Sequence, residues 1–114
     1  MAFTNTARNT ALDAIGAAAS FLSFHTGDPS TNGANEISSS VYSRQQTGWS
    51  PSSSGSKVGT PVTATVPGGI TVTFWGLWTS ATGGTFYYGG QLPAPESYGA
   101  QGNIVFTPTL AATG

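Results

Sequence analysis

Acid–base and metal chemistry need histidine, cysteine or carboxylate groups brought together, and this 114-residue chain supplies one histidine, four carboxylates and no cysteine. His25, Asp28 and Glu36 fall close together, within His25-Thr26-Gly27-Asp28-Pro29 and Asn35-Glu36. They could form an acid–base pair or a metal site. The spacing matches no calcium loop, which needs oxygen ligands at alternating positions and a closing glutamate, and zinc asks for more nitrogen or sulfur. The plainer reading makes Asp28 the cap of a turn and ends a strand at His25. It pairs Glu36 with Arg44 across a loop, a contact worth at most about 1 kcal/mol if exposed. Serines abound, yet no Gly-x-Ser-x-Gly elbow occurs and the lone histidine lacks a suitable acid. No phosphate-cradling glycine motif appears; Gly83-Gly84 and Gly89-Gly90 sit at strand ends. The sequence therefore assigns no catalytic residue, no metal ligand and no cofactor.

Aromatic residues offer a second kind of chemistry. Trp49, Trp75, Trp78, Tyr87, Tyr88 and Tyr98 could stack on sugar rings while neutral polar side chains hydrogen-bond the hydroxyls. Against this, Trp78, Phe86 and Phe106 read as the core of a small β protein, where large rings dominate burial. Trp75 lies on the alternate face of its strand, and adjacent Tyr87 and Tyr88 cannot both point inward. Trp75 and Tyr87 are accordingly candidate interface residues.

The elements that would position these groups are mostly strands. Sixteen glycines and seven prolines are spread along the whole length, which favours short strands joined by turns. One helix is expected over about residues 6–19, capped by Thr4, Asn5 or Thr6. Ala11, Leu12, Ile15, Ala18 and Ala19 form its apolar stripe, opposite Arg8, Asn9 and Asp13. A stripe of mostly alanine buries little area at about 25 cal/mol per Å², so Leu12 and Ile15 are candidate contacts to a neighbouring subunit.

Phe21–Thr26 reads as a short buried strand, and Ser30–Ser40 as a loop with an Asn32-Gly33 turn. Val41–Arg44 reads as a strand that Gln45–Trp49 could continue, and Ser50–Ser56 as a mobile loop. Val62–Val66 and Ile70–Trp78 alternate at period two. The far end of the second run is apolar on both faces, as in a central strand covered on both sides. Thr85–Gly89 pairs with it as a hairpin, Pro93 and Pro95 keep Gln91–Ala100 out of the middle of a sheet, and Asn103–Thr107 is the last strand. The sum is a mainly β, compact antiparallel β-sandwich, jelly-roll-like, with one N-terminal α-helix. Its single domain would span residues 1–114, β-rich over about 21–107, with residues 108–114 a patternless tail.

Composition narrows the partners. Only 6% of residues are charged and the net charge is −1, which leaves no electrostatic footprint for a phosphate backbone or an anionic membrane. Nucleic acid and membrane are excluded as expected partners. Aromatics at 11% argue for order over disorder. No run approaches the length of a membrane span and no secretory signal begins the chain, so the product is expected to stay soluble where it is made.

The stretch Leu22–Ile37, containing His25-Thr26-Gly27-Asp28-Pro29 and Gly33-Ala34-Asn35-Glu36, followed by Tyr42-Ser43-Arg44, Gly76-Leu77-Trp78 and Gly83-Gly84-Thr85-Phe86-Tyr87-Tyr88-Gly89-Gly90, resembles small virion proteins of tailed bacteriophages. Members of that group are called tail fibre or minor tail proteins. The likeness runs from about residue 9 to about residue 107, and Ser50–Ser56 departs from it. It implies a non-enzymatic virion protein, made in the host cytoplasm, that assembles as a homo-oligomer with other virion proteins. Two alternatives stay open: a capsid decoration protein bracing coat subunits, and a module that binds host-surface glycans.

Overall fold

The computed structural model describes residues 3–112. The helix, α1 (Asn5–Ala18), starts where Thr4 adopts an extended conformation and its hydroxyl accepts the Ala7 N–H at 3.1 Å, satisfying one orphan donor of the first turn. Among the described residues eight strands follow: β1 (Phe21–His25), β2 (Gln45–Gln46), β3 (Ser56–Val58), β4 (Val62–Val66), β5 (Ile70–Trp78), β6 (Phe86–Tyr98), β7 (Gly102–Phe106) and β8 (Thr109–Ala111). All pairings are antiparallel. A four-stranded sheet has the order β2-β1-β5-β6, while β3 pairs with β8 and β4 with β7. The molecule is mainly β, with antiparallel sheets packed compactly around a common core and one helix.

β1 and β5 are the inner strands of the large sheet, and their register sorts its two faces. Leu22 pairs with Leu77 and Phe24 with Trp75; Ser23 pairs with Gly76 and Phe21 with Trp78. Because side chains alternate, the first set enters the hydrophobic core with Val62, Ala64 and Val66 of β4, Ile104 of β7 and Leu110 of β8. Burying each of Leu22, Phe24 and Leu77 contributes about 1.5–3 kcal/mol. The second set lies on the opposite face, beneath residues 26–44. The expected double cover of β5 is present, with an apolar layer on one side and a polar loop on the other.

Several elements differ from expectation. Trp75 is 4% exposed and belongs to the core. Between Val72 and Phe74 of β5 the partner register jumps from Glu96 to Gln91, and such a bulge re-aims side chains. Val72 and Trp75, three apart, thus enter the same core. Trp75 packs on Phe106 and Tyr88 at ring-centroid distances of 5.4 and 5.3 Å. Pro93 and Pro95 fall within the interrupted stretch of β6, on an edge strand, where a missing N–H costs no ladder bond.

The helix docks on its own chain. Leu12 is 3% exposed and Ile15 packs half-buried against the same core. The polar side completes the attachment: Asn9 Oδ1 accepts the Gly55 N–H at 3.0 Å, and Asn9 O accepts the Ser52 hydroxyl at 3.0 Å. Asp13 accepts the Ser52 N–H at 3.1 Å and the buried Lys57 ammonium at 2.7 Å. A thin alanine stripe is thus supplemented by polar ties that periodicity does not show.

The same ties make Ser50–Ser56 a fastened turn. Ser54 and Gly55 adopt positive φ of 52° and 77°, and Ser53 and Ser56 exchange backbone hydrogen bonds at 2.8 and 3.0 Å. The expected tail after Pro108 contains β8, where Leu110 is buried opposite Lys57; residues 113–114 lie outside the described residues. Val41–Arg44 is irregular chain, and pairing with β1 begins only at Gln45, because Tyr42 and Arg44 turn inward to the cluster described next.

Candidate functional site

The polar face of β1 carries the chain's only histidine. Ser23 and His25 are fully buried, two residues apart on one strand and therefore on the same face. His25 Nδ1 lies 2.7 Å from the Ala34 carbonyl, and Nε2 lies 2.7 Å from Ser23 Oγ. A carbonyl only accepts, so Nδ1 carries the hydrogen and Nε2 is the bare acceptor. The Trp78 indole N–H donates to Ser23 Oγ at 2.8 Å, and the Ser23 hydroxyl donates its own hydrogen bond to Nε2. All three groups are satisfied by one arrangement of hydrogens.

A serine hydroxyl donating to the bare nitrogen of imidazole is the pairing that activates a nucleophile. Here it has no access to substrate. Opposite it stands Gly76, where an added Cβ would meet Ser23 Oγ at 2.5 Å, Phe86 at 2.7 Å and His25 Nε2 at 2.8 Å. The Nδ1 partner is a backbone carbonyl, so the carboxylate that orients the histidine of a catalytic triad has no counterpart here. Burial holds the His25 pKa below its ordinary value, opposed by the Ala34 hydrogen bond and the Glu36 charge. The pair works as a fastener.

What it fastens is the segment from Thr26 to Glu36. Asp28 Oδ1 accepts the Ser30 N–H at 2.8 Å, the turn-capping role expected of it. Asn32 Oδ1 accepts the Ala34 N–H at 3.1 Å, and Asn35 Nδ2 donates to the Asp28 carbonyl at 3.0 Å. Backbone bonds from Thr26 N–H to Asn35 O and from Ile37 N–H to Phe24 O, each 3.0 Å, close the loop. Gly33, at φ 78°, lies directly on Trp78, whose ring an added Cβ would overlap. Only glycine satisfies both the backbone and the contact.

Glu36 and Arg44 form the second half of the cluster. Arg44 Nε and Nη2 donate to the two carboxylate oxygens of Glu36 at 3.0 and 2.9 Å, and Tyr42 donates to Glu36 Oε2 at 2.8 Å. The Tyr42 hydroxyl in turn accepts the Phe24 N–H at 3.0 Å, and burial first, with the Glu36 charge, raises its pKa well above the ordinary phenol range. Arg44 Nη1 donates to the carbonyls of Ser80 and Gly83 at 3.0 and 2.8 Å. The guanidinium sits 3.7 Å over the Trp78 ring. The side chains are 10% and 19% exposed, so this is a shielded, fully engaged pair rather than the solvent-exposed one weighed from sequence.

The structure brings His25 and Glu36 together through a backbone bridge, while Asp28 is spent on its own turn. Among the described residues no group of three His, Asp or Glu side chains is placed to hold a metal ion. Of the interface candidates, Leu12 and Trp75 are buried inside the subunit, Ile15 is half-buried, and Tyr87 is 46% exposed beside exposed Tyr88 on edge strand β6. Of the three expected core rings, Trp78 is buried on the polar face, Phe86 packs on it at 5.1 Å, and Phe106 flanks the main core. Sequence reasoning missed Ser23, Tyr42 and Trp78 as partners. One signal was available: Ser23 interrupts an apolar strand at the parity of His25.

These observations define a class: a small, mainly β structural module whose histidine and Arg44–Glu36 ion pair are internal tethers. Its sequence blocks, separated along the chain, meet at one node around Trp78. A family model described as podophage GP4 fiber I protein gp80 matches residues 2–111, and the chain belongs to this family of phage fibre proteins. No match is found among curated proteins.

Proposed function

We propose that this protein is a non-enzymatic structural subunit of the tail fibre apparatus of a tailed bacteriophage, acting in the virion by assembly with copies of itself and with other virion proteins. The observation that carries this reading is the family match over residues 2–111. It is supported by the inward commitment of Ser23, His25, Glu36 and Arg44, which leaves a nearly uncharged surface carrying exposed Tyr87, Tyr88 and Val105. Neutral, partly aromatic surface of this kind suits contacts between subunits. Quantitative protein composition of purified particles tests it. Copy numbers of a few to dozens fit a fibre component, and hundreds of copies fit a capsid decoration protein instead.

The adjacent exposed rings of Tyr87 and Tyr88 also support a second reading, in which the module holds a host-surface glycan. Replacing Tyr87 by Ala separates the two. Loss of incorporation into particles marks a subunit contact, whereas intact particles that no longer bind glycan mark a receptor site.

A further inference from the structure

We propose that His25 is an acid-operated latch on segment 26–36: placing a proton on its Nε2 disrupts the Ser23–His25–Trp78 chain and frees the segment from the β1–β5 face. The stereochemistry of the cluster carries the idea. Trp78 Nε1 can only donate, and its acceptor is Ser23 Oγ. The Ser23 proton therefore has His25 Nε2 as its acceptor, 2.7 Å away. A proton on Nε2 turns that nitrogen into a second donor facing the same oxygen. Ser23 Oγ can accept both, but its own hydrogen is then left in a fully buried site without a partner. The imidazolium adds a buried charge.

The charges facing the ring do not supply a neutralising partner. From the covering segment and the chain after it come Glu36, which favours the proton, and Arg44, which opposes it; the two are already bound to each other and to Tyr42. β1, β5 and β6 contribute Ser23, Gly76, Trp78 and Phe86, none of them charged. The cheapest way to hydrate the charged ring is to release Ala34 and open the loop, because His25 is joined to it through the Ala34 carbonyl.

Opening lifts Gly33 from Trp78 and loosens Glu36 beside it. The direction follows from linkage: burial lowers the His25 pKa in the closed state, so the closed state binds the proton more weakly than the open one, where the ordinary histidine range sets the reference. The closed-to-open ratio is therefore stable above that range and falls below it, by up to about tenfold per pH unit, until the closed-state value is passed.

The test uses the full chain and two NMR readouts taken between about pH 7.5 and about pH 5. Because the chain has a single histidine, the ring signal is assigned without ambiguity. Amide exchange of Thr26, Gly33, Ala34 and Ile37, corrected for intrinsic rates, is expected to quicken by about tenfold or more at the lower pH, while amides of the β4–β7 pair keep their protection. In His25→Gln these loop amides exchange at the same corrected rate at both pH values. If that variant does not fold, the wild-type ring decides: the latch requires its titration and the loop opening to share one midpoint below the ordinary histidine value. Unchanged loop exchange across the range, a ring that titrates without loop opening, or a folded His25→Gln that keeps the pH response would each overturn the proposal.

Discussion

The Arg44 guanidinium sits 3.7 Å over the centre of the Trp78 ring, and this contact joins the irregular chain after Glu36 to the end of β5. Arg44 also grips Glu36 with two hydrogen bonds and the turn after β5 with two more. Replacing Arg44 by Ala leaves the shielded Glu36 carboxylate held by Tyr42 but without its counter-charge, and removes this donor from the Ser80 and Gly83 carbonyls. The expected loss is about 3 kcal/mol, read as a lower urea midpoint with unchanged slope. Lysine at this position is expected to restore less than half, since a point charge cannot span Glu36 and the Ser80 and Gly83 carbonyls together.

Gly33 and Gly69 provide a matched pair. Both have positive φ, 78° and 82°, but an added Cβ at Gly33 meets Trp78 whereas at Gly69 it meets nothing within 4 Å. Gly69→Ala is expected to cost about 1 kcal/mol for backbone conformation alone. Gly33→Ala should cost about 2–4 kcal/mol, because the indole must move as well. Thermal unfolding of the two variants side by side checks the difference. Equal losses would mean that the Trp78 contact is not tight.

Trp75 and Tyr87 should separate stability from assembly. Trp75→Ala empties a core position and is expected to cost about 3–5 kcal/mol. Tyr87, being exposed, should change stability by no more than about 0.5 kcal/mol when replaced by Ala. Denaturant titration measures both, and incorporation of the folded Tyr87→Ala protein into particles tests the proposed contact.

The helix attachment should respond to pH through Asp13. Its pKa is lowered, first by the hydrogen bond from Lys57 and then by Ser52, so its contribution is present above the ordinary value of 3.8 and is lost as pH falls through the lower folded value. Asp13→Asn should therefore be less stable than wild type at neutral pH, with the gap closing in acid. A gap that persists unchanged to the lowest pH would show that the charge of Asp13 plays no part.

Much of the fold was legible where side-chain periodicity is strong. Val62–Val66 alternates throughout and Ile70–Trp78 over its first half, and they form β4 and β5, while the early hydroxyl-rich turn supplies the cap Thr4. Trp75 was misplaced because strict alternation cannot foresee a bulge, and here the interruption of β6 at Leu92–Pro95 reverses the parity between Val72 and Trp75. β8 is three residues long with one buried side chain, too short to show a period.

The candidate site was half visible. Glu36 and Arg44, opposite charges flanking one loop in a nearly uncharged chain, announce their pairing. Ser23 and Trp78 meet across 55 residues, a contact that depends on the register of β1 against β5 and leaves no local mark. The helix shows the same limit, since Asn9 and Asp13 look like a solvated face until the 50–56 turn is folded onto them.

The central claim, that the chain is an assembled fibre component of a phage particle, is tested most directly by locating it in a density map of the intact virion. The fold described here should fit density in the tail fibres, in contact with further copies or with other virion proteins and with Tyr87 at or near a contact. Density for this chain across the capsid lattice, or its absence from the particle, would contradict the account.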